Sequence, residues 1–198
     1  NYTIEMMVQT SEGCSDTVKK VFALRPVVKL ADKSYQESFA NNPIEWQSEA
    51  PSPSAVNSWR LGNPPKGFTG DHCWYTYIAG ISPPREQSWV TSPCFDFTGT
   101  QRPMLKMSIW RLFNLDRDGA TLQYSVDNGK TWQVLGELSD GLNWFNDYQI
   151  DGKPGDQSLG WSNFNSQGND TDWKEARHSL DVLRNKKLVQ FRIAYGSD

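Results

Sequence analysis

The 198-residue sequence lacks the features that mark several functional classes. It has no run of about 20 apolar residues, so we predict that this segment does not insert into a membrane. Its net charge is -3 and its Lys and Arg residues form no basic stripe, which argues against a nucleic-acid partner. With two histidines, three cysteines and no phosphate-binding or zinc-protease motif, we expect no enzyme.

The sequence is made of short apolar stretches that are separated by clusters of Gly, Pro, Asn and Asp. Aromatic residues make up 13% of the chain, which is typical of a folded rather than a disordered protein. Many short strands with frequent turn signals predict an all-β sandwich. The strand candidates are 35–39, 73–78, 88–92, 104–113, 121–125, 132–135 and 188–195. One helical stretch is predicted over 172–183, from apolar residues at Trp173, Ala176 and Leu180.

The first 30 residues form a unit of their own. Residues 2–8 alternate in polarity, a polar turn follows at 10–16, and 17–24 has the pattern of a second strand, which together predict a β-hairpin. Two strands are marginally stable by themselves, so we expect the rest of the unit upstream. Residues 27–33 read as a short linker.

The turn Gly13-Cys14-Ser15-Asp16-Thr17 resembles that of a polycystic-kidney-disease (PKD) repeat, an immunoglobulin-like sandwich. The resemblance covers about 30 residues, and it implies that 1–30 are the last strands of such a repeat. In these repeats the cysteine often pairs with another one upstream, which would give Cys14 a partner.

A hairpin turn is the sharpest local motif. Ser125, Asp127, Gly129 and Trp132 match the Asp-box pattern Ser-x-Asp-x-Gly-x-Thr-Trp. Asp127 can accept hydrogen bonds from turn amides, and Gly129 can adopt a positive φ without steric cost. We interpret this motif as structural, with Trp132 packed back on the hairpin.

The remainder of the chain, 31–198, resembles a MAM domain. The resemblance rests on Glu37-Ser38-Phe39, Trp46, Asp71-His72, the stretch 89–97 and Arg192 in a late strand. It implies a jelly-roll β-sandwich of the MAM or concanavalin-like type, from which we expect the last strand to be missing. The cysteines do not stand where animal MAM domains have theirs.

Structural calcium is a further implication of the MAM resemblance. MAM-like jelly rolls can hold the ion with carboxylates of the first strand and of the Asp-His step, here Glu37 and Asp71. Calcium takes about six to eight oxygen ligands. The alternative is that Glu37 is solvated and Asp71 lies in a turn.

Two further sets of residues have two readings each. Cys73 and Cys94, on strand-like segments, form either a disulfide or two buried thiols that pack as small hydrophobic groups. Trp144, Phe145 and Trp161 lie in a stretch rich in Gly and Asn. They either stack on a ligand, since a sugar ring has an apolar C–H face, or pin a long loop.

Together the resemblances imply an extracellular module of a large surface protein, as in the type IX-secreted adhesins of Bacteroidetes. We expect adhesion through a glycan or a surface protein, with gliding motility as one implied role, alongside neighbouring domains of the same polypeptide. The alternatives are a carbohydrate-binding accessory module of a secreted hydrolase or protease, and a structural spacer.

Overall fold

A computed structural model describes residues 2–22, 25–31, 33–41, 45–64, 72–76, 84–113, 117–163, 170 and 172–198. These residues form strands and two short 3-10 turns (Pro154–Asp156 and Asp181–Leu183), with no α-helix among them. The strands are β1 (Tyr2–Gln9), β2 (Ser15–Phe22), β3 (Val27–Lys29), β4 (Gln47–Glu49), β5 (Arg60–Gly62), β6 (Cys73–Tyr75), β7 (Gln87–Thr91), β8 (Cys94–Asp96), β9 (Met104–Ile109), β10 (Gly119–Ser125), β11 (Gln133–Val134), β12 (Trp161–Ser162), β13 (Lys174–Ser179) and β14 (Gln190–Gly196). The predicted all-β class is confirmed.

A six-stranded antiparallel sheet is the centre of the fold. Its strands follow the order β11-β10-β14-β7-β4, and β12 pairs with the other end of β10. One side of this sheet packs on a core cluster that includes Leu122, Tyr124 and Phe191. Leu105, Met107 and Ile109, which alternate along β9, pack on the same cluster. The core therefore lies between the six-stranded sheet and the β9–β13 ladder, as in a sandwich, and the jelly-roll connectivity remains a prediction.

The segment predicted as a helix over 172–183 is a strand instead. β13 pairs with β9 in antiparallel register, with Ala176 opposite Met107. Ala176 and His178 are buried and Arg177 between them is exposed, which is the period of two expected of a strand. The helical prediction was wrong because pairing with a distant strand, rather than the local apolar spacing, sets the period here.

The predicted N-terminal hairpin is present as β1 and β2. Its turn is closed by a hydrogen bond from the Thr10 amide to the Cys14 carbonyl (2.8 Å), and Gly13 has φ 89°. Met6 and Val18 pair on one face, and both are more than half exposed. The opposite face carries an ion pair between Lys19 and Glu5 at 3.2 Å. Its membership of a PKD repeat remains a prediction.

Two further segments differ from the sequence predictions. Residues 27–29, predicted as part of a linker, form β3 and pair in parallel with β8. Residues 35–39, predicted as a strand, have no strand pairing. Tyr35 still belongs to the folded body, since its ring packs edge-on against Phe95 with 5.1 Å between the centroids.

Candidate functional site

The second side of the six-stranded sheet is polar although much of it is buried. Gln123, Arg192 and Thr91 lie directly opposite one another on β10, β14 and β7. Because opposed residues of antiparallel strands project to the same side, their side chains form one row. We call this side the polar face, and the register gives it Thr121, Gln123, Ser125, Gln190, Arg192, Trp89, Thr91, Gln47 and Glu49.

Arg192 stands at the centre of the polar face, between two indole rings. Its guanidinium carbon lies 4.5 Å from the ring centroids of both Trp89 and Trp132. Its Nε donates a hydrogen bond of 2.6 Å to Oε1 of Gln123. The two faces and this bond together fix the plane of the guanidinium group.

The terminal nitrogens of Arg192 make no hydrogen bond in the described part of the chain. They are also absent from its fully enclosed unpaired polar atoms, so they still meet solvent. Burial lowers the pKa of Arg192 to about 10, and the negative charges of Asp156 and Glu49 partly oppose that shift. The group stays a cation at neutral pH, and its outer edge is available for a ligand.

Glu49 fixes the orientation of the Trp89 ring through a hydrogen bond to its indole nitrogen. Its Oε2 accepts hydrogen bonds from Nε1 of Trp89 (3.0 Å) and Oγ1 of Thr91 (3.1 Å). Its Oε1 accepts one from the guanidinium of Arg25 at 2.6 Å. The carboxylate therefore has partners on both oxygens and does not reach Arg192 directly.

The Asp-box turn positions Trp132 at the edge of the polar face. Ser125 Oγ donates to Asp127 (2.7 Å) and accepts from the amide of Gly129 (2.9 Å). Asp127 also accepts from the amide and hydroxyl of Thr131, at 2.9 and 2.6 Å. These bonds, first of all the one from the Thr131 hydroxyl, lower the pKa of Asp127 to about 2. Gly129 has φ 79°, as the predicted turn requires.

A chain segment at 152–156 covers the far end of the polar face. Gln123 donates to the carbonyl of Gly155 at 2.9 Å, and Gln87 donates to the carbonyl of Gly152. Gly155 has φ 59°, and a Cβ there would lie 2.4 Å from Oε1 of Gln123. Only glycine lets the backbone come this close. The carbonyls of this segment therefore accept hydrogen bonds from the side-chain amides of Gln123 and Gln87, which apolar side chains could not do.

Trp144, Phe145 and Trp161 lie in the core, which favours the second of their two readings, that they pin a long loop. They are 3%, 0% and 3% exposed, and their rings pack edge-on or tilted against one another at 4.7 to 5.2 Å. Trp144 donates to the carbonyl of Leu135 and Trp161 to that of Asn143, both at 3.0 Å. They pin the loop, and they offer no open ring face for stacking on a ligand.

Cys73 and Cys94 are two separate buried thiols, not a disulfide. Burial raises the pKa of Cys73 to about 11 and also raises that of Cys94. Both therefore stay protonated at neutral pH and pack as small apolar groups. Cys14, on the hairpin turn, is free and exposed.

The calcium prediction is left open by the geometry. Glu37 accepts hydrogen bonds from the Phe39 amide (2.7 Å) and the Tyr35 hydroxyl (3.3 Å), whereas Asp71 lies outside the described residues. The ring nitrogen Nδ1 of His72 lies 3.2 Å from the Phe39 carbonyl, which brings the two segments together. Among the described residues no three acidic, His or Cys side chains cluster in a way that would hold a metal.

Sequence reasoning missed Glu86, a fully buried carboxylate. Its Oε1 accepts from the Ser58 amide (2.7 Å), the Ser58 hydroxyl (2.9 Å) and the Ser88 hydroxyl, while Oε2 has no partner in the described structure. A Glu between short loops carries no pattern that marks it as buried. The Trp89–Arg192–Trp132 stack was missed for a related reason, since its members are far apart in the chain.

Comparison with known proteins does not identify a family for the chain. No family model, no curated protein and no solved structure matches it. In the described part of the chain, no helix is long and apolar enough to cross a membrane.

Proposed function

We propose that the chain is a non-catalytic module of an extracellular surface protein, which mediates adhesion by binding a glycan on the polar face. The observation that carries the proposal is the Trp89–Arg192–Trp132 stack, a fixed cation flanked by two half-buried indoles. Aromatic rings offer apolar surface to sugar C–H groups, and planar polar side chains offer hydrogen bonds to sugar hydroxyls.

Order in the unliganded state favours this surface for binding. Nε of Arg192, the indole of Trp89 and the turn that carries Trp132 are each held by hydrogen bonds. A ligand that meets groups already in place loses less conformational entropy on binding. The polar face therefore supports the binding function better than the buried Trp144, Phe145 and Trp161 do.

A glycan array probed with the whole chain tests the proposal. We expect retention on at least one glycan class, and we expect Trp132→Ala to weaken it about tenfold, the equivalent of about 1.4 kcal/mol. Tyr148→Ala is the matched control, because Tyr148 is an aromatic residue that is 60% exposed and not part of the polar face. Binding that survives Trp132→Ala would exclude the polar face, and no retention on any glycan would favour the spacer alternative.

Calcium remains part of this proposal, as a structural ion bound through Glu37 and Asp71. Any ion that binds only the folded state raises the melting temperature, and the shift grows with the ion's concentration relative to its dissociation constant. We expect a higher melting temperature in calcium than in chelator, with the difference lost in Glu37→Gln. An equal melting temperature in both solutions would remove calcium from the proposal.

A further inference from the structure

The outer edge of the Arg192 guanidinium carries charged hydrogen-bond donors that have no acceptor in the described structure. Nε is already bonded to Gln123, so the remaining donors are on the two terminal nitrogens. Arg192 is only 8% exposed, and a cation with so little access to water is costly unless an opposite charge lies near. The described structure gives it no ion pair.

Two acidic groups act on Arg192 without contacting it. Glu49 has both oxygens engaged by Arg25, Trp89 and Thr91. Asp156 is exposed and has a positive φ of 65°, in the segment that covers the polar face. Their negative charges offset part of the free-energy cost of burying the Arg192 cation. Neither of them supplies the hydrogen-bond acceptors that the terminal nitrogens lack.

A carboxylate fits this edge in shape as well as in charge. A guanidinium presents parallel N–H groups that match the two oxygens of a carboxylate, and such charge-assisted pairs are about twice as strong as neutral ones. Both indoles lie against the guanidinium, so a ligand would meet it at the edge that carries the terminal nitrogens. A neutral hydroxyl would satisfy one donor and leave the charge uncompensated.

We propose that Arg192 receives the carboxylate of an acidic sugar, so that the module selects uronic-acid-type glycans over neutral ones. This inference rests on the proposed function, since it names the ligand class for the same face. It also assigns Trp89 and Trp132 the role of holding the guanidinium in its binding plane.

Glucuronate and glucose are the direct probes, because they differ only in a carboxylate at the sixth carbon. In NMR spectra of the whole wild-type chain, glucuronate should shift the indole N–H signals of Trp89 and Trp132 and the Nε–H signal of Arg192. Glucose should do so about tenfold more weakly. Equal responses to the two sugars would overturn the inference without any substitution that risks the fold.

Asp156→Asn gives the sharper test because it leaves Arg192 intact. Removing this repulsive charge should tighten glucuronate binding about two- to fivefold, as expected of an exposed charge. Asp181→Asn is the matched control, since Asp181 is exposed and does not contribute to the pKa of Arg192. Unchanged affinity in Asp156→Asn would place the anion elsewhere.

The array separates this inference from the proposed function. Retention on acidic glycans, lost in Arg192→Gln and weakened in Arg192→Lys, is the expected result, with melting curves to show that both variants fold. Retention on neutral glycans alone would overturn the acidic ligand and keep the binding function. Retention on no glycan would overturn both.

Discussion

The two sides of the six-stranded sheet both contain fully buried residues, and they are chemically opposite. Leu122 and Phe191 on one side are 2% and 5% exposed, while Gln123, Thr91 and Thr121 on the other are 0% exposed. The first side meets aromatic and aliphatic groups. The second side contacts backbone carbonyls at 152–156, and Arg192, one of its own residues, is hydrogen-bonded to Gln123. Burial on the polar face therefore depends on hydrogen-bond partners, whereas burial on the apolar face depends on removing hydrocarbon from water.

The largest effect should come from the apolar side. Leu122→Ala removes a side chain that is fully packed in the core cluster and should cost about 2–5 kcal/mol of unfolding free energy. Chemical denaturation of both proteins measures it. A cost below about 1 kcal/mol would show that the cluster collapses around the cavity.

Glu86 interrupts the apolar side, because its carboxylate meets Ser88, which shares the side of Val90. Glu86→Ala should cost about 1–3 kcal/mol, since it leaves the buried Ser58 amide without an acceptor. Glu86→Gln keeps an acceptor oxygen and should cost much less in the same denaturation experiment. If both variants lost the same unfolding free energy, the negative charge of Glu86, and not its acceptor oxygen, would be what stabilises the fold.

Thr121 is the exception on the polar face. Its hydroxyl is buried and has no hydrogen-bond partner in the described structure. Thr121→Val replaces that hydroxyl with a methyl group and should raise the unfolding free energy by about 1 kcal/mol. A decrease instead would indicate that the hydroxyl binds water or ligand, which would extend the binding surface along β10.

The smallest effect should come from the turn at the end of the polar face. The pKa of Asp127 falls from 3.8 to about 2 on folding, so its carboxylate stabilises the turn above pH 3.8 and loses that effect as the pH falls toward 2. Asp127→Asn should melt a few degrees below wild type at pH 7.

Melting curves at several pH values test this assignment. The gap between Asp127→Asn and wild type should narrow steadily below about pH 4. A gap that does not depend on pH would mean that side-chain shape, rather than charge, holds the turn.

Local chemistry made some of these features predictable. The Asp-box turn depends on Ser125, Asp127 and Gly129 within a few residues, so the sequence contains all its partners. The β1–β2 hairpin is equally local. The helix predicted over 172–183 failed because the β9 partner of β13 lies far away in sequence.

The Trp89–Arg192–Trp132 stack was not predictable for the same reason. Trp144 and Trp161 look like ligand-binding aromatics in a polar loop, yet their indoles satisfy carbonyls of the core. Trp89 and Trp132 look like ordinary strand and turn residues, yet they flank a cation. An aromatic residue has the same sequence signature in both settings, and only its neighbours in space distinguish them.

The sequence by itself determined the all-β class, the hairpin and the Asp-box turn, because period-two alternation and turn chemistry act between neighbours in the chain. The tertiary structure decided which polar residues are buried, which thiols stay unpaired and where Arg192 lies. Those outcomes depend on strand order and register, which bring together residues that are distant in the chain. A polar side chain can be buried wherever that register brings it a hydrogen-bond partner.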